Sequence, residues 1–268
     1  MEKRRKLGLA LGSGGFRGFA HIGVIRSLEK HGISIDALSG SSSGAWVAAS
    51  YALAKDITKL ESDLTEKTRE NWQMLFDVNW KSGFIVGQKF SKFLQSTFDN
   101  KHFADTKIPL YIIASDLNTG QPYVFQEGDL TTAVRASTSV PLVFKPVELD
   151  DKVLADGGLC DPVPGKILKD KKIEIVVGVN LYNKNEFVNQ QLSMTNIAIR
   201  SMRILLYNLT AESIKNCDLV INLDLSKYSS VNGVAKLFTK KISDEIIKLG
   251  ETETDKVISQ IKSLLNKS

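Results

Sequence analysis

The sequence of 268 residues predicts an α/β fold with three layers, in which helices cover both faces of a central, mostly parallel sheet. Short apolar runs alternate with longer segments at helical spacing, as in βαβ units. The runs 7–11 and 110–115 are apolar almost throughout, which is typical of strands buried on both faces. Further strands are predicted at 173–181 and 219–225. Because no repeat or linker divides the chain, we expect one domain over 1–268.

The first strand leads into a glycine-rich turn, Gly12-Ser13-Gly14-Gly15, and then into a helix over 17–31. The backbone N–H groups of such a turn can bind an anion, so three interpretations compete. A dinucleotide site would need a glycine where Arg17 stands, and a phosphate loop would need a lysine followed by serine or threonine. The third interpretation is an oxyanion hole, which also explains the motif on the next strand.

That motif is G-x-S-x-G at Gly40-Ser41-Ser42-Ser43-Gly44, between an apolar run at 33–38 and an apolar helical segment at 45–54. A nucleophile on a tight strand-to-helix turn has a strained backbone, and flanking glycines let the turn close. Ser42 has glycine two positions away on both sides, so it is the candidate nucleophile. The alternative is a small-residue turn in which Ser42 or Ser43 caps the helix.

Residues 55–105 form an aromatic-rich segment that we expect to be helical. It is either a mobile lid over an acyl-chain pocket or ordinary helical core, and core packing is favoured for any single aromatic residue. The residues concerned are Trp72, Met74, Phe76, Trp80, Phe84, Phe90, Phe93, Phe98 and Phe103.

The second half of the chain contains a predicted hairpin and two long helical segments. Asp150-Asp151-Lys152 is a turn signature between the strands of the hairpin. Segment 192–214 is apolar on more than one side, so we expect it to be largely buried or to cover a hydrophobic channel. Segment 242–265 is amphipathic and is predicted to break at Gly250. Packing on the sheet is its expected role, with partner or membrane binding as alternatives.

The histidines argue against a conventional catalytic triad. In α/β-hydrolases the triad follows the order serine, acid, histidine, and His21, His31 and His102 all precede the acidic candidate, Asp156. We therefore expect the first two histidines to be structural, and His102 lies in a region without strand-end character.

A two-residue arrangement remains, in which Asp156 takes the proton of Ser42 directly. Gly157 and Gly158 follow the aspartate and allow a sharp bend that presents its carboxylate to a cleft. A carboxylate is a weak base at neutral pH unless its pKa is raised, so we expect Asp156 to be partly buried.

Composition narrows the function classes. The formal net charge is +5, but the basic residues are spread and form no nucleic-acid-binding motif. Solvated surface is the favoured interpretation, with attraction to an anionic lipid surface second, where each cation is worth about 1 kcal/mol. Cys160 and Cys217 have no metal-ligand spacing and suggest no disulfide framework, so we expect no metal site at the cysteines. The absence of a signal-like or membrane-spanning run predicts a cytoplasmic protein.

Taken together, the motifs resemble the patatin-like phospholipases, and especially their compact bacterial members. The resemblance spans roughly residues 7–225. The segments that carry it are 9–24, 40–44, 116–120, 135–146 and 156–158.

The resemblance implies a serine lipid acyl hydrolase with a Ser-Asp dyad, in which Ser42 is the nucleophile and Asp156 the general base. The family motif G-G-G-x-R-G falls on 13–18, with Ser13 in place of the first glycine. Gly14 and Gly15 are then the implied oxyanion donors, while Arg17 orders the loop. The supporting glycines are Gly40, Gly44, Gly157 and Gly158.

The implied substrates are acyl esters of phospholipids or lysophospholipids, hydrolysed without a cofactor, and segment 137–141 should support the active site. Two alternatives stay open. One is a nucleotide- or anion-binding protein that uses 12–18, and the other is a lipid-binding regulator with little turnover.

Overall fold

The computed structural model describes residues 4–62, 64, 88–141, 143–187, 194–228 and 239–266. Its strands are β1 Leu7–Leu11, β2 Ala37–Ser41, β3 Leu110–Asp116, β4 Pro122–Phe125, β5 Val147–Leu149, β6 Lys152–Asp156, β7 Ile175–Asn180 and β8 Leu219–Asn222. Its helices are α1 Ala20–Lys30, α2 Ser43–Ala54, α3 Gln88–Phe98, α4 Leu130–Ser137, α5 Gly165–Asp170, α6 Met194–Ser213, α7 Lys240–Asp255 and α8 Ile258–Asn266.

The strands form one mixed sheet in the order β5-β6-β3-β2-β1-β7-β8, with β4 also paired to β3. The neighbours from β3 to β8 are parallel, whereas β4, β5 and β6 pair antiparallel at one end. This arrangement confirms the predicted α/β class with a mostly parallel sheet. The carboxyl ends of β1, β2 and β3 lie side by side, which is where such sheets place their sites.

Alternate residues of β1 show that both faces of the sheet are covered. Leu7, Leu9 and Leu11 belong to the larger core, which also contains side chains of α1, α2 and α4. Ala10 points to the other face and joins a smaller core with Leu168 of α5. A strand that is buried on both faces must be apolar at every position, which explains the continuous pattern in the sequence.

Two boundaries differ from the expectation. The second strand begins at Ala37 and runs through Ser41, because Ala37 pairs with Gly8 while the preceding apolar residues pack outside the sheet. In the hairpin, Lys152 belongs to the strand, where it pairs with Leu149. The turn therefore has two residues, and Asp150 adopts a left-handed φ of 51° that suits such tight turns.

The predicted break at Gly250 is wrong, because α7 continues through it to Asp255. A Cβ at Gly250 would lie 2.1 Å from the carbonyl oxygen of Ala20, and one at Gly23 would lie 1.9 Å from that of Ile247. The glycines thus let the backbones of α1 and α7 touch. Close helix packing, not a helix end, explains the residue.

Part of the aromatic-rich segment lies outside the described residues, namely Trp72, Met74, Phe76, Trp80 and Phe84. Phe90, Phe93, Phe98 and Phe103 are buried in the larger core, as expected for core packing. The lid stays a prediction.

Helix α6 departs from the expectation of a largely buried helix. Ile197, Ile204 and Leu205 are 44%, 42% and 69% exposed. No helix in the described ranges is long and apolar enough to cross a membrane.

Candidate active site

Ser42 lies on a sharp turn between β2, which ends at Ser41, and α2, which begins at Ser43. Its φ of 54° and ψ of −122° are unusual for a residue with a side chain and store strain. A Cβ at Gly44 would lie 2.1 Å from the carbonyl oxygen of Leu11, and one at Gly40 would lie 2.5 Å from that of Gly44. The two glycines of the motif are therefore required by close backbone approach.

The side chain of Ser42 makes no capping hydrogen bond to α2, so the helix-cap alternative does not describe this turn. Its hydroxyl instead donates to Oδ2 of Asp156 over 2.6 Å. The two residues meet because β6 pairs with β3, with Asp156 opposite Ala114, and β3 lies beside β2. Ser42 is 4% exposed and Asp156 is 6% exposed.

The carboxylate of Asp156 is held by two hydrogen bonds. Besides the bond from Ser42, its Oδ1 accepts the N–H of Gly158 over 2.8 Å. Burial raises the pKa of Asp156 to about 6, although both hydrogen bonds act in the opposite direction. A Cβ at Gly157 would lie 2.0 Å from the carbonyl oxygen of Ile113, so this glycine is required where the chain turns after the carboxylate.

The last residue of α4 and the segment after it support both residues of the pair. The Ser137 hydroxyl accepts the N–H of Ser42 over 2.9 Å and donates to the carbonyl of Ile113 over 2.5 Å. The carbonyl of Ser139 accepts the N–H of Asp156 over 3.0 Å. The family resemblance implied that segment 137–141 supports the site, but nothing in its pattern singled out the Ser137 hydroxyl.

Two side chains hold the glycine-rich turn in place, one from α1 and one from the segment just after the turn. His21 is fully buried, and its Nε2 lies 2.7 Å from the carbonyl oxygen of Gly12. Burial lowers the pKa of His21 to about 4, so the neutral ring donates this hydrogen bond. Arg17 Nε donates to the carbonyl of Gly14 over 3.2 Å, and Gly15 has a left-handed φ of 60°. The loop is thereby fixed in a glycine-dependent conformation.

Tyr182 is a component that sequence reasoning missed. The guanidinium of Arg17 lies 5.1 Å from the centre of its ring, and the hydroxyl of Ser13 lies 3.3 Å from its hydroxyl. Ser13 therefore has a partner that a glycine in its place would lack. A Cβ at Gly158 would lie 2.7 Å from the Ser13 hydroxyl oxygen, which keeps that position small.

Two cavities meet at Ser42, and both are also lined by Gly15, Phe16 and Val140. The first, which we call the apolar cavity, has a volume of about 150 Å³; its other lining residues are Gly18, Phe19, Ser43, Trp46, Val47, Leu64, Phe90, Thr138 and Phe144. The second, the mixed cavity, has a volume of about 340 Å³; its other lining residues are Gly14, Arg17, Pro141, Val143, Asp156, Leu159, Tyr182, Met202, Arg203 and Leu206.

The remaining histidines lie elsewhere. His31 Nε2 is 3.2 Å from Oδ1 of Asp255, and the backbone N–H of His102 binds Asp105. Neither side chain is hydrogen-bonded to Ser42 or Asp156. In the part of the chain that the structure describes, no three His, Cys, Asp or Glu side chains are grouped to hold a metal ion.

Comparison with known proteins shows to which family the chain belongs. Residues 9–169 match the family model described as patatin-like phospholipase. An uncharacterised NTE family protein of Mycobacterium bovis is 34% identical over 178 residues, which cover 66% of this chain and 49% of that protein. Lysophospholipase NTE1 of Candida albicans is 28% identical over 179 residues, which cover 65% of this chain and 13% of that protein.

The chain thus spans about half or less of the length of these relatives. The crystal structure of VipD from Legionella pneumophila superposes with a TM-score of 0.58 at 13% identity, covering 97% of this chain and 67% of that one, and supports the fold alone. Because the family model matches more than half of its residues, the chain belongs to the patatin-like phospholipase family.

Proposed function

We propose that this protein is a serine lipid acyl hydrolase that uses Ser42 and Asp156 as a catalytic dyad. The observation that carries the proposal is the 2.6 Å hydrogen bond from the Ser42 hydroxyl to Asp156, at a point where two cavities meet. Membership of the family and the strained turn that carries Ser42 support the same conclusion.

In the first step, Ser42 Oγ attacks the carbonyl carbon of the ester, and its proton passes to Oδ2 of Asp156. The carbonyl oxygen becomes an oxyanion, for which the N–H groups of Gly14 and Gly15 are the proposed donors; each such donor is worth about 10²–10³ in rate. The bond between the carbonyl carbon and the alcohol oxygen then breaks. The leaving alcohol takes the proton from Asp156.

In the second step, water attacks the acyl-enzyme and gives its proton to Asp156. The bond to Ser42 Oγ breaks, the proton returns to the serine, and the carboxylic acid leaves. A pKa of about 6 suits a group that accepts and returns a proton near neutral pH.

The cavities suggest how the substrate is oriented. The apolar cavity, with Trp46, Phe90 and Phe144 in its wall, suits the acyl chain. The mixed cavity contains Arg17 and Arg203 and suits an alcohol that carries a phosphate. A phospholipid or a lysophospholipid has both parts, an acyl chain for the apolar cavity and a phosphate for the mixed cavity. The Candida relative is named a lysophospholipase, which agrees with a lysophospholipid substrate.

The test is a screen of acyl release from lysophospholipids, diacyl phospholipids and monoacylglycerols of one chain length, with and without a metal chelator. We expect fatty acid release that the chelator leaves unchanged and that Ser42→Ala abolishes. Tight nucleotide binding without any acyl release would instead support the anion-binding alternative, and vesicle binding without acyl release would support a regulator.

A further inference from the structure

Helix α6 has an exposed apolar ridge, which we define as Ile197, Ile204 and Leu205. Four large apolar side chains stand out as exposed in the described part of the chain, and three of them form this ridge; the fourth is Leu117. Ile197 and Ile204 are seven residues apart, so they lie on the same side of the helix two turns from each other. Apolar groups clustered in this way on a surface commonly mark an interaction site.

The charge of α6 indicates the kind of partner. Helix α6 contains Arg200 and Arg203, and its one acidic residue, Glu212, lies in the last turn, away from the ridge. The formal net charge of the chain is +5. Arg200 is three residues after Ile197 and four before Ile204, so it lies beside the ridge. An apolar ridge with an adjacent cation, on a protein of positive net charge, is complementary to an anionic lipid surface. The apolar groups of such a ridge enter the boundary between headgroups and acyl chains.

The ridge and the candidate active site share helix α6. Met202, Arg203 and Leu206 of the same helix line the mixed cavity, which reaches Ser42 and Asp156. One side of α6 therefore forms a wall of the cavity while the other side faces outward. A lipid surface seated on the ridge would therefore contact the outer side of the helix whose inner side lines the cavity.

We propose that the ridge on α6 docks the protein on the surface of an anionic phospholipid bilayer, so that the helix lining the mixed cavity lies against the lipid. The proposal rests on the proposed function for the importance of bringing that cavity close to lipid. The docking itself involves no catalytic step and can be measured separately.

The experiment is co-sedimentation with phosphatidylcholine vesicles, with or without phosphatidylglycerol, using protein that carries Ser42→Ala so that turnover plays no part. The test variant adds Ile204→Ser and Leu205→Ser, and the matched control adds Leu117→Ser, which removes an apolar side chain that is 53% exposed elsewhere. We expect partitioning onto phosphatidylglycerol vesicles to fall at least ~tenfold in the test variant, since burial of one such side chain already accounts for about that factor. We expect it to be unchanged in the control.

Binding should also weaken as salt increases, and Arg200→Gln should reduce the preference for anionic over neutral vesicles. Unchanged binding of the double variant, or an equal loss with Leu117→Ser, would overturn the assignment of the ridge. A dimer in solution that the double variant dissociates would also overturn it, because a second copy would then cover the ridge. Vesicle binding by an otherwise unmodified protein that hydrolyses no ester would refute the proposed function while leaving the docking proposal intact.

Discussion

Two serine–aspartate pairs in this molecule look alike at first sight. The hydroxyl of Ser42 is hydrogen-bonded to Asp156, and that of Ser213 is hydrogen-bonded to Asp161. Burial raises the pKa of both aspartates. We assign catalysis only to the first pair.

The difference lies in the surroundings of each serine. Ser213 Oγ accepts the N–H of Val163 over 3.0 Å and lies 2.8 Å from the carbonyl oxygen of the same residue, so backbone groups occupy it on two sides. Neither Ser213 nor Asp161 lines the apolar or the mixed cavity, whereas Ser42 lines both. Ser42 also has a left-handed φ of 54°, against an ordinary helical φ of −55° at Ser213. A serine–aspartate hydrogen bond therefore indicates a nucleophile only where the serine also faces open space.

The largest expected effect comes from the two serines. Ser42→Ala should reduce kcat/KM for a short p-nitrophenyl ester by at least ~10⁴-fold, because no other group replaces the nucleophile. Ser213→Ala should leave kcat/KM unchanged but lower the free energy of unfolding by about 1–3 kcal/mol, since it leaves buried partners unsatisfied. Steady-state kinetics and urea denaturation of both variants measure the contrast. Equal losses of activity would contradict it.

Substitution of the two aspartates, Asp156 and Asp161, should likewise affect activity only at the first. Asp156→Asn should lower kcat/KM by about 10²–10⁴-fold, the usual contribution of a positioned base, whereas Asp161→Asn should not. Burial raises the pKa of Asp156 from 3.8 to about 6, so its ionised form destabilises the folded protein at pH 7. Asp156→Asn removes this charge and should raise the free energy of unfolding at pH 7 by about 1–3 kcal/mol. An inactive variant that is also less stable would show that Asp156 has chiefly a structural role.

A third prediction concerns pH. Protonation of Asp156 removes the base, so kcat/KM should fall as pH decreases through about 6. Asp156 in the folded state binds this proton at a higher pH than in the unfolded state. Its contribution to the free energy of unfolding therefore rises as pH falls from about 6 toward 4. His21 acts oppositely: its folded pKa of about 4 is below the ordinary 6.5, so its contribution is lost as pH falls through that window.

These two contributions partly cancel in the unmodified protein. Asp156→Asn leaves only that of His21, so the variant should lose more stability than the parent between pH 6.5 and pH 4. Denaturation curves at several pH values test this, and parallel pH profiles for the two proteins would argue against the pKa difference.

The smallest expected effect is the stability difference caused by backbone strain at Ser42. Ser42→Gly should be more stable than Ser42→Ala by about 1 kcal/mol, because glycine tolerates a left-handed φ that alanine does not. At Ser213 the order should reverse by about the same amount, since glycine is unfavourable in a helix. Thermal unfolding of the four variants measures both differences. If Ser42→Ala proves as stable as Ser42→Gly, the turn at Ser42 is not strained.

The sequence was sufficient to predict much of this fold, since continuous apolar strands and helical spacing are local signals. The G-x-S-x-G turn was recognisable because only glycine fits where Gly44 meets Leu11. Gly250 was misread as a helix end, because its close approach to Ala20 depends on which helices meet. Ser137 and Tyr182 carry no pattern of their own, and only the three-dimensional arrangement brings them to the site. The exposed side of α6 was missed for the same reason, because an apolar helix does not show which face remains uncovered.

The most direct test of the account is active-site labelling with a fluorophosphonate, followed by identification of the modified residue by mass spectrometry. We predict one stoichiometric adduct on Ser42, none on Ser213, and a much slower reaction in Asp156→Asn. Folded protein that acquires no adduct on Ser42, or that is modified at another serine at the same rate, would contradict the assignment of Ser42 as the nucleophile.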